Sequence, residues 1–300
     1  MRSAQPGIFA QGTRSHHYLE LDVRAGADRQ ALCEALGRLR QPQVTAGGLN
    51  LVVALGSALL RRLVPQEEPA GLAPFEAMEG PSGLALPATP HDLWVWVHGT
   101  GPDIVLDGAR SVAAAVRPVA TVAYEQSAFV YRDGRDMTGF VDGTENPLID
   151  DAPEVAVVSE GPGEGGSHVL VMRWVHDLAA FDRLDVDEQQ AVFGRTKVAS
   201  EDLGDVKPPT AHIARVVVEE DGEELEIYRR STPFGTVAEQ GLYFVAFSAD
   251  PSRFTTMLHR MIGLSGDGLH DRLMELSRAT SAATYFAPSL QVLAALGAEA

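Results

Sequence analysis

Apolar residues along the chain fall into two periods. Over residues 17–23 apolar and polar positions alternate, with Leu19, Leu21 and Val23 on one side, which predicts a strand buried on one face. Over 28–39 the period lengthens, and Leu32, Ala35, Leu36 and Leu39 share one helical face. Residues 49–55 predict a buried strand, and Ser57 an N-cap for a helix over 58–63. The Pro- and Gly-rich stretch 65–90 predicts a long surface connection. A strand over 93–97, a helix over 104–116 and a strand over 121–131 complete a βαβ order given twice. That order predicts a ferredoxin-like antiparallel sheet with helices on one face.

The second half repeats the scheme with more decoration. Strands are predicted over 167–175 and 241–247, and a short helix over 185–193 opened by Asp185. Residues 212–218 and 225–230 predict two strands across an Asp221-Gly222 turn. A helix capped by Ser252 follows over 252–262, then helical segments over 269–276 and 290–296. The fold class expected is therefore α+β, two ferredoxin-like domains in tandem. The boundary is expected within 132–137, giving domains 1–132 and 133–300. The crevice between two such sheets is a natural place for a flat cofactor.

Composition narrows the function. With 45% hydrophobic and 22% charged residues, the chain reads as globular. A net charge of −17 argues against nucleic acid and against anionic membrane as partners. Cys33 is the single cysteine, so no disulfide framework or cysteine-based metal site is available. The opening residues hold no apolar signal core, and the apolar run 49–63 is too short to span a bilayer and is interrupted by Asn50, Arg61 and Arg62. The cytoplasm is the expected location.

Nine histidines could serve as ligands: His16, His17, His91, His98, His168, His176, His212, His259 and His270. His168 and His176 flank one strand without a surrounding motif. The string Gly139-Phe140-Val141-Asp142-Gly143-Thr144-Glu145-Asn146-Pro147 sets a carboxylate between two glycines and a proline. It reads either as an Asx-rich turn or as a loop that fixes a reactive carboxylate.

That string resembles the signature loop of the dye-decolourising peroxidase family. Phe193-Gly194-Arg195-Thr196-Lys197, Ala211-His212-Ile213-Ala214-Arg215 and Ile227-Tyr228-Arg229-Arg230-Ser231-Thr232-Pro233-Phe234-Gly235 follow in the family's order. Gly241-Leu242-Tyr243-Phe244 and Tyr285-Phe286-Ala287-Pro288-Ser289-Leu290 match as well. The compact length and the Arg229-Arg230-Ser231-Thr232-Pro233 run are similar to the B-type, bacterial cytoplasmic branch.

The resemblance implies one haem b per chain on the C-terminal half, with iron held axially by His212. It implies Asp142 as base and then acid toward hydrogen peroxide, with Arg229 stabilising charge. Ser231, two residues along, would share Arg229's face, while Arg230 would point away as a surface or sheet-edge charge. Leu242 and Phe244 would form an apolar lid over the distal porphyrin, and Arg195 would meet the propionates. Asp271 is either the carboxylate that orients His212 or an ordinary exposed helix residue. Tyr131, Trp174, Tyr243 and Tyr285 are either electron relays or packed aromatics.

The activity implied is peroxide reduction coupled to one-electron oxidation of organic reductants such as dyes and phenols. An optimum in acid follows from an aspartate with an ordinary pKa near 3.9. The alternative is a haem-binding or haem-handling protein with incidental peroxidase activity. Relatives self-associate, so a homo-oligomer is expected. The chain's end, close behind Leu290, gives no support for docking in a protein shell.

Overall fold

The computed structural model describes residues 2–39, 48–81, 83–220 and 222–298. Its first half runs β1 (Ser15–Val23), α1 (Arg29–Arg38), β2 (Asn50–Leu55), α2 (Ser57–Leu63), a small hairpin β3 (Met78–Glu79) and β4 (Ala85–Leu86), β5 (Leu93–Gly99), α3 (Pro102–Val116) and β6 (Ala120–Phe129). The four long strands lie in the order β2-β5-β1-β6, all antiparallel. Asp28 caps α1 by accepting from the Ala31 N–H at 3.0 Å. Helix α2 starts one residue earlier than expected: Gly56 is its N-cap, and Ser57 stands inside the first turn. The stretch 65–90 is more than a surface connection, because Leu72, Phe75 and Leu86 are buried along it. Strand β1 is buried on both faces rather than one. Leu19 and Leu21 meet the helices, and His16, Tyr18 and Glu20 face a second core.

The second half runs α4 (Ala152–Ala156), β7 (Ser167–His176), α5 (Leu178–Phe181), α6 (Val186–Phe193), α7 (His212–Val216), β8 (Glu219–Glu220), β9 (Glu223–Glu224), β10 (Tyr228–Arg229), β11 (Thr232–Gly235), β12 (Gln240–Ser248), α8 (Ser252–Ile262), β13 (Ser277–Ala287) and α9 (Leu290–Ala298). Its strand order, β10-β12-β7-β13, repeats that of the first half. Several expectations change here. The strand expected over 212–218 is helix α7. Arg215 on that helix is buried, and its guanidinium forks onto Asp267, Ser265 and the Arg260 carbonyl, which holds the turn. The strand expected over 225–230 shortens to β10. The turn at 221–222 joins only the two-residue strands β8 and β9, and Asp221 lies outside the described residues. Pro251, not Ser252, caps α8, and the helix over 269–276 reduces to a 3-10 turn at Arg272–Glu275. Strand β13 was not expected at all. Its run of Ala, Ser and Thr carries no apolar alternation, and it exists because it is paired along β7.

Phe286 of β13 pairs with Leu55 of β2, so the halves join in one nine-stranded sheet. The inner faces of the two halves pack together: Tyr18 stacks on Tyr243 at 4.0 Å, and the Trp94 indole donates to the Tyr243 hydroxyl at 3.2 Å. Much of the space between the halves is thus filled by aromatic core. The cleft opens instead on the outer face of the second half. Leu170, Met172 and Trp174 of β7 and Leu242 and Phe244 of β12 face away from the inner core, toward Phe254, Met257 and Leu258 of α8. No helix among the described residues is long and apolar enough to cross a membrane.

Candidate active site

Alternation along a strand sends every second side chain to one face. On β7 this puts Leu170, Met172, Trp174 and His176 in one row, and on β12 Leu242 and Phe244 beside them. The result is an apolar floor under an open cleft. Polar groups enter it from the surrounding loops, from α7 and from the strand positions His176, Arg229 and Ser277.

His212 enters from the first position of α7. Its Nδ1 faces Asp271 Oδ2 at 2.6 Å, and Asp271 is fully buried at the start of the 3-10 turn, where its other oxygen accepts from the Leu273 N–H. With Nδ1–H donating to that carboxylate, Nε2 is left as the imidazole's free acceptor. A buried carboxylate behind an imidazole fixes its tautomer and raises its basicity. Asp271 is therefore not an exposed helix residue.

Asp142 stands where the 139–147 loop returns to its base, its N–H bound to the Gly134 carbonyl at 3.1 Å. Gly143 follows with φ at +81°, a conformation that strains any residue with a Cβ, so the chain can turn sharply past the carboxylate. Asn146 locks this loop to β10: its amide oxygen accepts from the Arg229 N–H at 2.7 Å, and its amide nitrogen donates to the Arg229 carbonyl at 2.9 Å. The sequence offered Asn146 only as a turn residue. Burial lifts the Asp142 carboxyl above its ordinary range, against the pull of the nearby Arg229 charge. Burial also lowers Arg229, while Asp142 opposes that shift. Asp142, Gly143, Arg229 and Ser231 line both the main cleft and a second cavity, whereas His212 lines only the first. Ser231 does face the cleft with Arg229, but not along one strand, since β10 ends at Arg229 and the Ser231 hydroxyl accepts from the Val245 N–H.

Arg195 follows Gly194, whose φ of +85° ends α6 and swings the chain back toward the cleft. The Arg195 guanidinium contacts the Glu145 carboxylate and donates to the Ser200 carbonyl at 2.5 Å. Its Nε and the Ser200 hydroxyl are buried without a hydrogen-bond partner. Orphaned donors at the rim of a flat apolar slot fit a planar ligand that carries carboxylates. Haem is such a ligand, and the imidazole Nε2 supplies the donor its iron takes.

Other expectations fall away or gain company. Arg230 is no free surface charge: it donates to the carbonyls of Ile8 and Ala10, both at 2.7 Å, and lies over the Trp96 ring. Tyr243 and Tyr285 sit in the inner core and both donate to Glu20, while Trp174 lines the cleft and Tyr131 is half-buried outside it. Asp136 escaped sequence reading, and His176, there one candidate ligand among nine without a motif, meets it at 3.0 Å in the cleft. They lie far apart in sequence and share no local pattern.

An imidazole backed by a buried carboxylate, opening on an apolar slot with a carboxylate and a guanidinium at hand, describes a haem enzyme. Comparison with known proteins sharpens this. Residues 5–130 match the N-terminal part of Dyp-type peroxidases and residues 133–292 the C-terminal part. A dye-decolorizing peroxidase of Mycolicibacterium paratuberculosis is 37% identical over 274 residues, 89% of this chain and 75% of that protein. The crystal structure of a putative Dyp-type peroxidase from Shewanella oneidensis superposes with a TM-score of 0.93 at 34% identity, covering 98% of this chain and 99% of that one. A DypB variant of Rhodococcus jostii in complex with haem gives a TM-score of 0.92 at 32% identity, covering 99% and 100%. The chain belongs to the Dyp-type peroxidase family. It is a haem peroxidase.

Proposed function

We propose that this enzyme reduces hydrogen peroxide at Asp142 and Arg229 and oxidises small organic reductants, dyes and phenols among them, by one-electron steps. The observation that carries the reading is the pairing of Asp142 with Arg229 at one cleft, through the Asn146 bonds that tie the Asp142 loop to the Arg229 backbone. Haem, when bound, supplies the iron and the electrons that peroxide takes up. His212 Nε2 would hold the iron, with Asp271 orienting it and strengthening it as a donor. Arg195 and the Ser200 hydroxyl would take the propionates, and Leu242 and Phe244 would cover the ring face.

Asp142 works with protons. As the carboxylate it takes the proton from one peroxide oxygen and returns it to the other, which leaves as water. Arg229 stays cationic throughout, so it anchors peroxide and stabilises the departing oxygen by charge alone. Ser231 is small, and its hydroxyl leaves room beside Arg229 for peroxide and water.

The division into units of 1–132 and 133–300, a homo-oligomeric state and a cytoplasmic location complete the proposal. The repeated strand order of the two halves supports the division. Steady-state oxidation of a dye by the haem-loaded protein tests the activity. Peroxide-dependent turnover that Asp142→Asn lowers supports it, and equal turnover in both proteins overturns the assignment of Asp142.

A further inference from the structure

Asp136 and His176 line the cleft, yet neither has a part in the chemistry above. Both side chains are nearly closed to solvent, His176 at 7% and Asp136 at 11% exposure. His176 stands at the end of the β7 row that floors the cleft, two residues beyond Trp174. Its Nε2 meets Asp136 Oδ1 at 3.0 Å, and its Nδ1 meets the Ser277 hydroxyl of β13 at 2.8 Å. Asp136 Oδ2 accepts from both the N–H and the hydroxyl of Thr138, at 3.0 and 2.6 Å. Burial alone would raise the Asp136 carboxyl, but the His176 charge and these hydrogen bonds outweigh it and hold the group at about 2. Asp136 is therefore held toward its carboxylate form.

The backbone around Asp136 shows what this pair holds. Residues 134–142 fold back on themselves as one small hairpin. The Asp136 N–H binds the Phe140 carbonyl, the Gly139 N–H binds the Asp136 carbonyl, Arg135 pairs with Val141, and Asp142 closes the base on Gly134. A segment so fully paired within itself moves as one body, and its placement depends on its outside ties. On one side Arg135 donates to the carbonyls of Lys197 and Val198, and Phe140 stacks on Phe193. Downstream, Asn146 holds Arg229. A polar tie from the hairpin to the sheet itself is the Asp136–His176 pair.

We propose that His176 is a positioning residue for Asp142: through Asp136 it pins the hairpin that ends in Asp142 to the strand flooring the cleft. The inference rests on Asp142 being the residue that acts on peroxide. Misplacing a reacting group by about 1 Å can cost about a hundredfold in rate, so a tie of this kind has kinetic weight.

Two amides separate the two bonds of His176. Gln at 176 places an N–H where Nε2 stands and can keep the bond to Asp136. Asn places its amide near Nδ1, keeping Ser277 and losing Asp136. The experiment measures the second-order rate with hydrogen peroxide for haem-loaded wild type, His176→Gln, His176→Asn, Asp142→Ala and the His176→Asn/Asp142→Ala double variant. Cyanide dissociation constants, read from the Soret shift, give a measure independent of turnover. The expected result is a loss of about tenfold or more in His176→Asn, retention within about threefold in His176→Gln, and no further loss when His176→Asn is added to Asp142→Ala. Cyanide affinity should weaken in His176→Asn and hold in His176→Gln. Equal losses in the Gln and Asn variants, or losses that add to that of Asp142→Ala, would overturn the positioning role. A wild-type rate in Asp142→Ala would instead overturn the reading of Asp142, and is seen without reference to His176. Should His176→Asn fail to fold, Asp136→Asn replaces it, with the same loss expected.

Discussion

His212 and Asp271 form a 2.6 Å hydrogen-bonded pair in which the carboxylate is wholly buried and the imidazole faces the cleft. Such a carboxylate gives the imidazole part of the character of an imidazolate, which makes it a stronger donor to ferric iron. Asp271→Asn keeps the shape and removes the charge. The expected outcome is a more positive iron midpoint potential, measured by spectroelectrochemical titration of the haem-loaded protein, with the ferric state less favoured than in wild type. An unchanged potential would mean that the pair only packs.

The pH dependence follows from Asp142. As a base it must be ionised, and burial puts its pKa above the ordinary aspartate value of about 3.9. The peroxide rate is then lost, as pH falls, at a higher pH than an unperturbed aspartate would give, and the optimum is less acid than sequence alone implied. Arg229 opposes this rise. Arg229→Leu removes that charge, so the acid limb of the rate profile should move to still higher pH as well as losing height. Stopped-flow rates across the acid range measure the limb. A limb that stays in place would separate the two residues electrostatically.

Arg195 holds the rim of the cleft with a buried Nε that lacks a partner. Arg195→Leu should speed the loss of haem to an excess of a haem-scavenging protein by about tenfold, the scale of one charge-assisted hydrogen bond. Its Soret maximum should stay close to that of wild type, because His212 is untouched. Equal loss rates would assign Arg195 to Glu145 alone.

Glu20 lies in the inner core, accepting from Tyr243 at 3.1 Å and Tyr285 at 2.7 Å. Burial raises its carboxyl above the ordinary glutamate range, with the tyrosine bonds opposing the shift. The folded protein therefore holds this proton at pH values where the unfolded chain has lost it. Stability from this group is full in acid and is lost as pH rises from the ordinary glutamate value through the raised one. Glu20→Gln should gain on wild type over that window, seen as a difference in urea midpoints that grows with pH. A constant difference would place the Glu20 titration at its unfolded value.

Much of this architecture was legible from local pattern. The four long strands of the first half, helix α1 over 29–38 and helix α6 behind Asp185 each follow from residues within a few positions. The motifs also led to Asp142, Arg229, His212, Arg195 and Asp271, and the fold brings all but the buried Asp271 to the cleft surface. What escaped depends on distant partners. Strand β13 is a strand because β7 lies alongside it, and α7 is a helix because Arg215 reaches Asp267 and the Arg260 carbonyl. The Asp136–His176 pair is invisible until the fold closes, since each residue taken singly resembles an ordinary loop aspartate or strand-end histidine.

The central claim is that Asp142 and Arg229 act on peroxide. It is tested most directly by mixing the haem-loaded protein with hydrogen peroxide in a stopped-flow spectrometer, beside Asp142→Ala and Arg229→Ala. The expected result is a fast, saturable change of the Soret band in wild type, slowed by about a hundredfold or more in at least one variant. Equal rates in all three proteins would contradict it.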